Sequence, residues 1–123
     1  MPREIIYEIN NLQEFKNLLQ SNPGVTIIKF GAAWCGPCRR IEKPLHTYIH
    51  QMPDNVQCVI VDIDNCPEIY SFMKSKRMVN GVPALLAYKI GNNTYVPDDM
   101  NVGADYTQLQ EFFQRCYKMS MSV

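Results

Sequence analysis

Cys35 and Cys38 flank Gly36 and Pro37, with Trp34 immediately before them. Two cysteines at this spacing can close a disulfide across one turn, or stand as two thiols at the start of a helix. Passage between those states moves two electrons and two protons. The thiolate, not the thiol, is the reactive form in such chemistry. At a helix N-terminus the first N–H groups have no helical partner and the dipole end is positive, so a thiolate is favoured there. Residues three apart on a helix face the same side, which brings both sulfurs together. A purely structural disulfide, or two buried thiols, is the plainer reading of the same spacing.

The segments around the pair decide between these readings by placing it at a strand-to-helix junction. Val25 to Gly31 is an almost unbroken apolar run, the signature of a central parallel strand. Cys35 to Gln51 reads as a helix, with Pro44 inside it as an expected kink. Upstream, residues 3–9 place Ile5, Tyr7 and Ile9 on one strand face, and Leu12, Phe15, Leu18 and Leu19 recur at helical spacing after Asn10 and Asn11 as caps. Downstream, Val56 to Ile63 reads as a second buried strand, and Pro67 to Lys76 as a helix. Ala84 to Ile90 is a third core strand, leading through Gly91-Asn92-Asn93-Thr94 to a short strand at Tyr95 and Val96. Asp105 caps a last helix with Gln108 three residues on, and Leu109, Phe112, Phe113, Cys116 and Tyr117 form its apolar stripe. The expected order is β-α-β-α-β-α-β-β-α, an α/β fold whose mixed sheet carries helices on both faces.

Bulk properties narrow the function. A chain of 123 residues suggests one domain, residues 1–123. Its 12 basic and 12 acidic side chains cancel, and no basic stripe points to nucleic acid. No apolar run approaches the length of a membrane span. The start, Met1-Pro2-Arg3-Glu4, does not resemble a secretory leader, and five cysteines is an odd count for a secreted disulfide framework. A reducing, cytoplasmic setting is expected, with one special pair and three further thiols, Cys58, Cys66 and Cys116. Cys58 and Cys116 read as small buried hydrophobes. His46 and His50 add the outline of a zinc pattern to Cys35 and Cys38. His46 would nevertheless lie about 12 Å along a helix from Cys38, too far for a shared metal, so no metal is expected.

The Trp34-Cys35-Gly36-Pro37-Cys38 pentapeptide between a core strand and a helix resembles the thioredoxin family. Asn80-Gly81-Val82-Pro83 before a core strand, where that family has a cis-proline, and Gly103 after the hairpin strengthen the resemblance, which spans nearly the whole chain. The resemblance implies a thioredoxin fold and a thiol–disulfide oxidoreductase that reduces protein disulfides. Cys35 would be the nucleophile and Cys38 the resolving thiol. Gly36 would let a substrate backbone come close, and Pro37 would fix φ in the first turn. The family's Gly-Pro spacer goes with a reducing potential, about −270 mV for thioredoxin. Trp34, Val82, Pro83, Gly103 and Ala104 match the family's substrate-docking patch, with Val82 offering strand-like hydrogen bonds. The Cys35–Cys38 disulfide would carry the electrons without a further cofactor. A thioredoxin reductase or another dithiol would return them. A monomer is expected, with Cys66 as a route to a dimer.

The sequence also departs from the family. The family usually has a buried aspartate six residues before the first cysteine; here that position is Lys29. The lysine often found near that aspartate is replaced by Ile60. A buried lysine must pair, deprotonate or reach water. Lys29 is therefore expected to tune the site, extending toward Asp62 or Asp64 or lying beneath Cys38, or else to reach solvent without a part in catalysis. Pro44 comes one residue later than the family's helix proline. The stretch from Gly81 to Gly103 is longer than usual, and the excess is expected in a loop at residues 97–101. These departures leave a second expectation open: an interaction module with few partners and little general reductase activity.

Overall fold

The computed structural model describes residues 2–123. Four strands form one mixed sheet: β1 (Val25–Gly31), β2 (Val56–Asp62), β3 (Ala84–Lys89) and β4 (Asp99–Val102). Their spatial order is β2-β1-β3-β4. β1 runs parallel to β2, with Lys29 opposite Ile60, while β3 is antiparallel to both β1 and β4. Four helices complete the chain: α1 (Leu12–Gln20), α2 (Gly36–His50), α3 (Pro67–Ser75) and α4 (Tyr106–Met121).

Side-chain alternation on β1 divides the core in two. Ile28 and Phe30 face Phe15 and Leu19 of α1 and Ile69 and Met73 of α3. Val25 and Ile27 face the other way, onto Ile41, Leu45 and Ile49 of α2 and Leu109, Phe112 and Phe113 of α4. Lys29 is in register with this second face, and so points toward α2. The α/β architecture with helices on both faces is as the sequence indicates.

Helix ends follow the chemistry of their caps. The Asn11 side chain accepts the Glu14 N–H at 2.8 Å, and Glu14 accepts the Asn10 N–H at 2.8 Å. Asp105 caps α4 by accepting the Gln108 N–H at 2.8 Å. α2 runs unbroken through Pro44. Proline offers no N–H to the carbonyl four residues back. That carbonyl, on Arg40, instead accepts the Tyr106 hydroxyl at 3.2 Å.

Two expectations are corrected. Residues 3–9 are not a strand: only Ile6 bridges to Val59, through hydrogen bonds of 3.1 Å and 2.8 Å with Cys58 and Ile60. Tyr7 is exposed while Ile5 and Ile9 pack into different halves of the core, so the face read from alternation does not exist. The segment meets the sheet only along β2, and Arg3 ties it to Gln57 and the Asp54 carbonyl instead of to a ladder.

The hairpin is also placed differently. Tyr95 and Val96 lie in the connection, and most of the loop expected at residues 97–101 is β4, pairing Ala87 with Asp99 and Ala84 with Val102. Tyr95 packs edge-on against Phe72, with ring centroids 5.7 Å apart, and its carbonyl accepts the Tyr88 hydroxyl at 2.8 Å. Its aromatic character serves tertiary packing, not a ladder. β4 is fixed to α4 by the Asp99–Arg115 ion pair at 2.7 Å.

Candidate active site

β1 ends at Gly31, and the following turn delivers Cys35 to the N-cap of α2. Cys35 and Cys38 are disulfide-bonded. The Cys38 N–H donates to Cys35 Sγ at 3.1 Å, so the first sulfur itself takes up one of the free donors of the helix end. Both residues are nearly closed to solvent. Gly36 has open space where a Cβ would sit, so the outer side of the turn is unobstructed. Pro37 occupies the first turn, where a missing N–H costs nothing.

The loop before β3 faces the disulfide. The Val82–Pro83 bond is cis, and the Val82 carbonyl oxygen lies 3.7 Å from Cys35 Sγ. The Gly103 N–H donates to the Pro83 carbonyl at 3.0 Å and so continues the β3–β4 pairing to this edge. Gly103 has φ +95°, a conformation that favours glycine, with open space at its Cβ position. Ala104 is half-buried against the α2–α4 side of the core. Trp34 is 65 % exposed, and its indole N–H donates to Asp64 at 2.9 Å. Asp64 therefore holds Trp34.

Lys29 lies beneath the pair. A methyl group at Gly31 would stand 2.7 Å from Lys29 Nζ and 3.6 Å from Cys38 Sγ, so both atoms face the same small volume. A cavity of about 330 Å³ opens there, lined by Lys29, Cys38, Arg39, Glu42 and Asp62 among others. Burial pushes the Lys29 amine below its ordinary value, while Glu42 and then Asp62 push it back up. Glu42 escaped the sequence reading. Its spacing of four from Cys38 along one helix was the available signal.

The remaining thiols lie in the core. Burial holds the Cys58 thiol up at about 12. Burial, then Asp99, raise Cys116 still further. Cys66 has no exposed surface, so the dimer considered through it has no accessible thiol in this conformation. His46 and His50 sit one turn apart on α2, with ring centroids 6.4 Å apart. No helix among the described residues is long and apolar enough to cross a membrane.

A mixed sheet flanked by helices, with a Cys-x-x-Cys disulfide at a helix N-terminus facing a cis-proline loop, defines the class of thioredoxin-fold redox proteins. The family model described as Thioredoxin matches residues 7–115. A thioredoxin of Coprinus comatus is 32 % identical over 112 residues, covering 90 % of this chain and 97 % of that protein. Thioredoxin-2 of Pyricularia oryzae is 32 % identical over 105 residues, 85 % of this chain. The chain spans only about half of that longer relative, 56 % of its length. The crystal structure of oxidised mitochondrial thioredoxin 3 from Saccharomyces cerevisiae superposes with a TM-score of 0.71 at 30 % identity, covering 90 % of this chain and 94 % of that one. The chain belongs to the thioredoxin family.

Proposed function

We propose that this protein reduces protein disulfides by thiol–disulfide exchange, with Cys35 as nucleophile and Cys38 as resolving thiol. The observation that carries the reading is the Cys35–Cys38 disulfide at the N-terminus of α2, opposite the Val82 carbonyl. In the reduced protein the Cys38 N–H and the helix dipole favour a Cys35 thiolate. That thiolate attacks one sulfur of a substrate disulfide and expels the other. Cys38 then attacks Cys35, restores the internal disulfide and releases the second substrate thiol. A thioredoxin reductase or another dithiol returns the two electrons.

Substrate docking follows from the open side of the turn. An extended peptide would lie across Trp34, Val82, Pro83, Gly103 and Ala104, pairing with the Val82 backbone. Gly36 leaves room for it and Pro37 stiffens the first turn. Lys29 tunes the pair from below. Three buried thiols that gain nothing from oxidation suit a reducing compartment, with the cytoplasm as the first expectation.

Insulin reduction tests the reading, with thioredoxin reductase and NADPH or with dithiothreitol as electron donor. Turnover by the native protein and none by Cys35→Ser is the expected result. No turnover with either donor overturns the reductase reading and leaves an interaction module. A midpoint potential above about −200 mV would instead mark an oxidant or isomerase.

A further inference from the structure

The cavity under Cys38 has an unusual charge arrangement for the exchange just described. Its titratable and charged groups come from three elements: Lys29 from β1, Cys38, Arg39 and Glu42 from α2, and Asp62 from β2. Arg39 is turned to the preceding loop, where its guanidinium donates to the Ala33 carbonyl at 2.7 Å. Asp62 is also committed, accepting the Asp64 N–H at 2.9 Å. Lys29 is only 9 % exposed, and among the described residues its ammonium has no carboxylate within 4.0 Å. No direct ion pair neutralises it, so its field falls on what shares its volume, the sulfur of Cys38.

We infer that Lys29 is the fixed counter-charge of the Cys38 thiolate, and that Glu42 is the positioning residue that keeps Lys29 protonated there. This rests on the exchange reading and deepens it. A group meant to accept the Cys38 proton would have to be neutral or anionic, and would gain from isolation. Burial favours the neutral amine, but Lys29 shares its cavity with two carboxylates that oppose this and favour its charged form, Glu42 the stronger. The Cys38 proton leaves to solvent through the cavity mouth, past the exposed Glu42. The resulting thiolate lies beside a cation and not in bare apolar surroundings. It attacks Cys35 Sγ of the mixed disulfide: the Cys38–Cys35 bond forms, the Cys35–substrate bond breaks, and the electron pair leaves with the substrate sulfur as a thiolate. Lys29 stays protonated throughout, so the balance needs no further oxidant or reductant.

The test uses the full-length reduced protein with ¹³C-labelled cysteine and lysine, following the Cys38 Cβ and Lys29 Cε resonances against pH. An opposite charge within ~4–6 Å typically moves a titration by one unit or more. Lys29→Met is therefore expected to raise the Cys38 midpoint by about one pH unit or more, and to slow resolution of a mixed disulfide about tenfold near neutral pH. Lys29→Arg, which keeps the charge, restores most of both. Glu42→Gln, at an exposed position that tolerates change, lowers the Lys29 midpoint; Asp62→Asn lowers it less. An unmoved Cys38 midpoint in Lys29→Met overturns the counter-charge. An unmoved Lys29 midpoint in Glu42→Gln overturns the role of Glu42, and that variant serves even if the substitutions at Lys29 fail to fold. These midpoints are read without turnover, so a protein that fails to reduce insulin can still pass, and an active reductase can still fail.

Discussion

Lys29 stands where the thioredoxin pattern places an acid, and its approach to Cys38 runs across a residue with no side chain. Gly31 has no steric need for its own conformation; what its missing Cβ provides is space for the Lys29 amine. An added methyl would meet Nζ at 2.7 Å and Cε at 3.0 Å, both at the far end of a flexible chain. The backbone can stay while the amine swings aside. Gly31→Ala is thus expected to cost under about 1 kcal/mol in urea unfolding and to raise the Cys38 midpoint, by less than Lys29→Met does. A loss of several kcal/mol with no change in the titration would show instead that packing locks the amine in place.

The joint between α2 and α4 shows how an element absorbs a local fault. Pro44 strips the Arg40 carbonyl of its helical donor, and the Tyr106 hydroxyl supplies a replacement from the first turn of α4. Removing that hydroxyl in Tyr106→Phe is expected to cost about 0.5–1 kcal/mol, the small end of hydrogen-bond values because both residues are exposed. In a Pro44→Ala background, where the helical donor returns, the same change should cost clearly less. A double-mutant cycle by urea unfolding measures the difference, and equal costs in both backgrounds would disconnect the two residues. The sequence revealed Pro44 but not its partner, since the two are joined only by folding. The same division holds elsewhere. The core strands and the four helices were legible because apolar period and caps are local signals. The pairing of Cys35 with Cys38 and the cis bond before Pro83 were legible from motif and context. The hairpin was misplaced because Tyr95 looks like a strand residue but is recruited by Phe72, a contact no local pattern encodes. Residues 3–9 mislead because alternation reports side-chain faces and not backbone pairing, and only Ile6 pairs with β2. Glu42 was overlooked because it is an ordinary surface carboxylate until the cavity is seen.

The molecule as a whole pairs two of its sulfurs at the start of α2 and keeps the other three as thiols in the core, and this sets its response to alkali. Cys58 has an ordinary value of 9.0 and is held at about 12 in the fold by burial. Between those values the folded thiol keeps a proton that the unfolded chain has lost. The unfolded state then binds fewer protons, so stability falls as pH rises. Cys116 and Tyr88 are raised in the same way, burial being the main cause for each, and add to the fall. Lys29 acts with the opposite sign. Its folded value lies below the ordinary 10.5, so between the two the unfolded chain holds the extra proton and stability rises with pH. Two thiols from about pH 9, joined by Tyr88 from about pH 10, against one amine predict a net loss as pH rises, with a limiting slope of about 1.4 kcal/mol per pH unit for each fully shielded group. Urea unfolding of the reduced protein from pH 7.5 to 10.5 measures it. Cys58→Val and Cys116→Val should each flatten the decline, whatever constant cost they carry, and Lys29→Met should steepen it. Slopes that match the native protein in both cysteine variants would mean that the interior thiols do not govern alkaline unfolding. Because the comparison is of slopes, a packing defect that is the same at every pH cannot imitate the result.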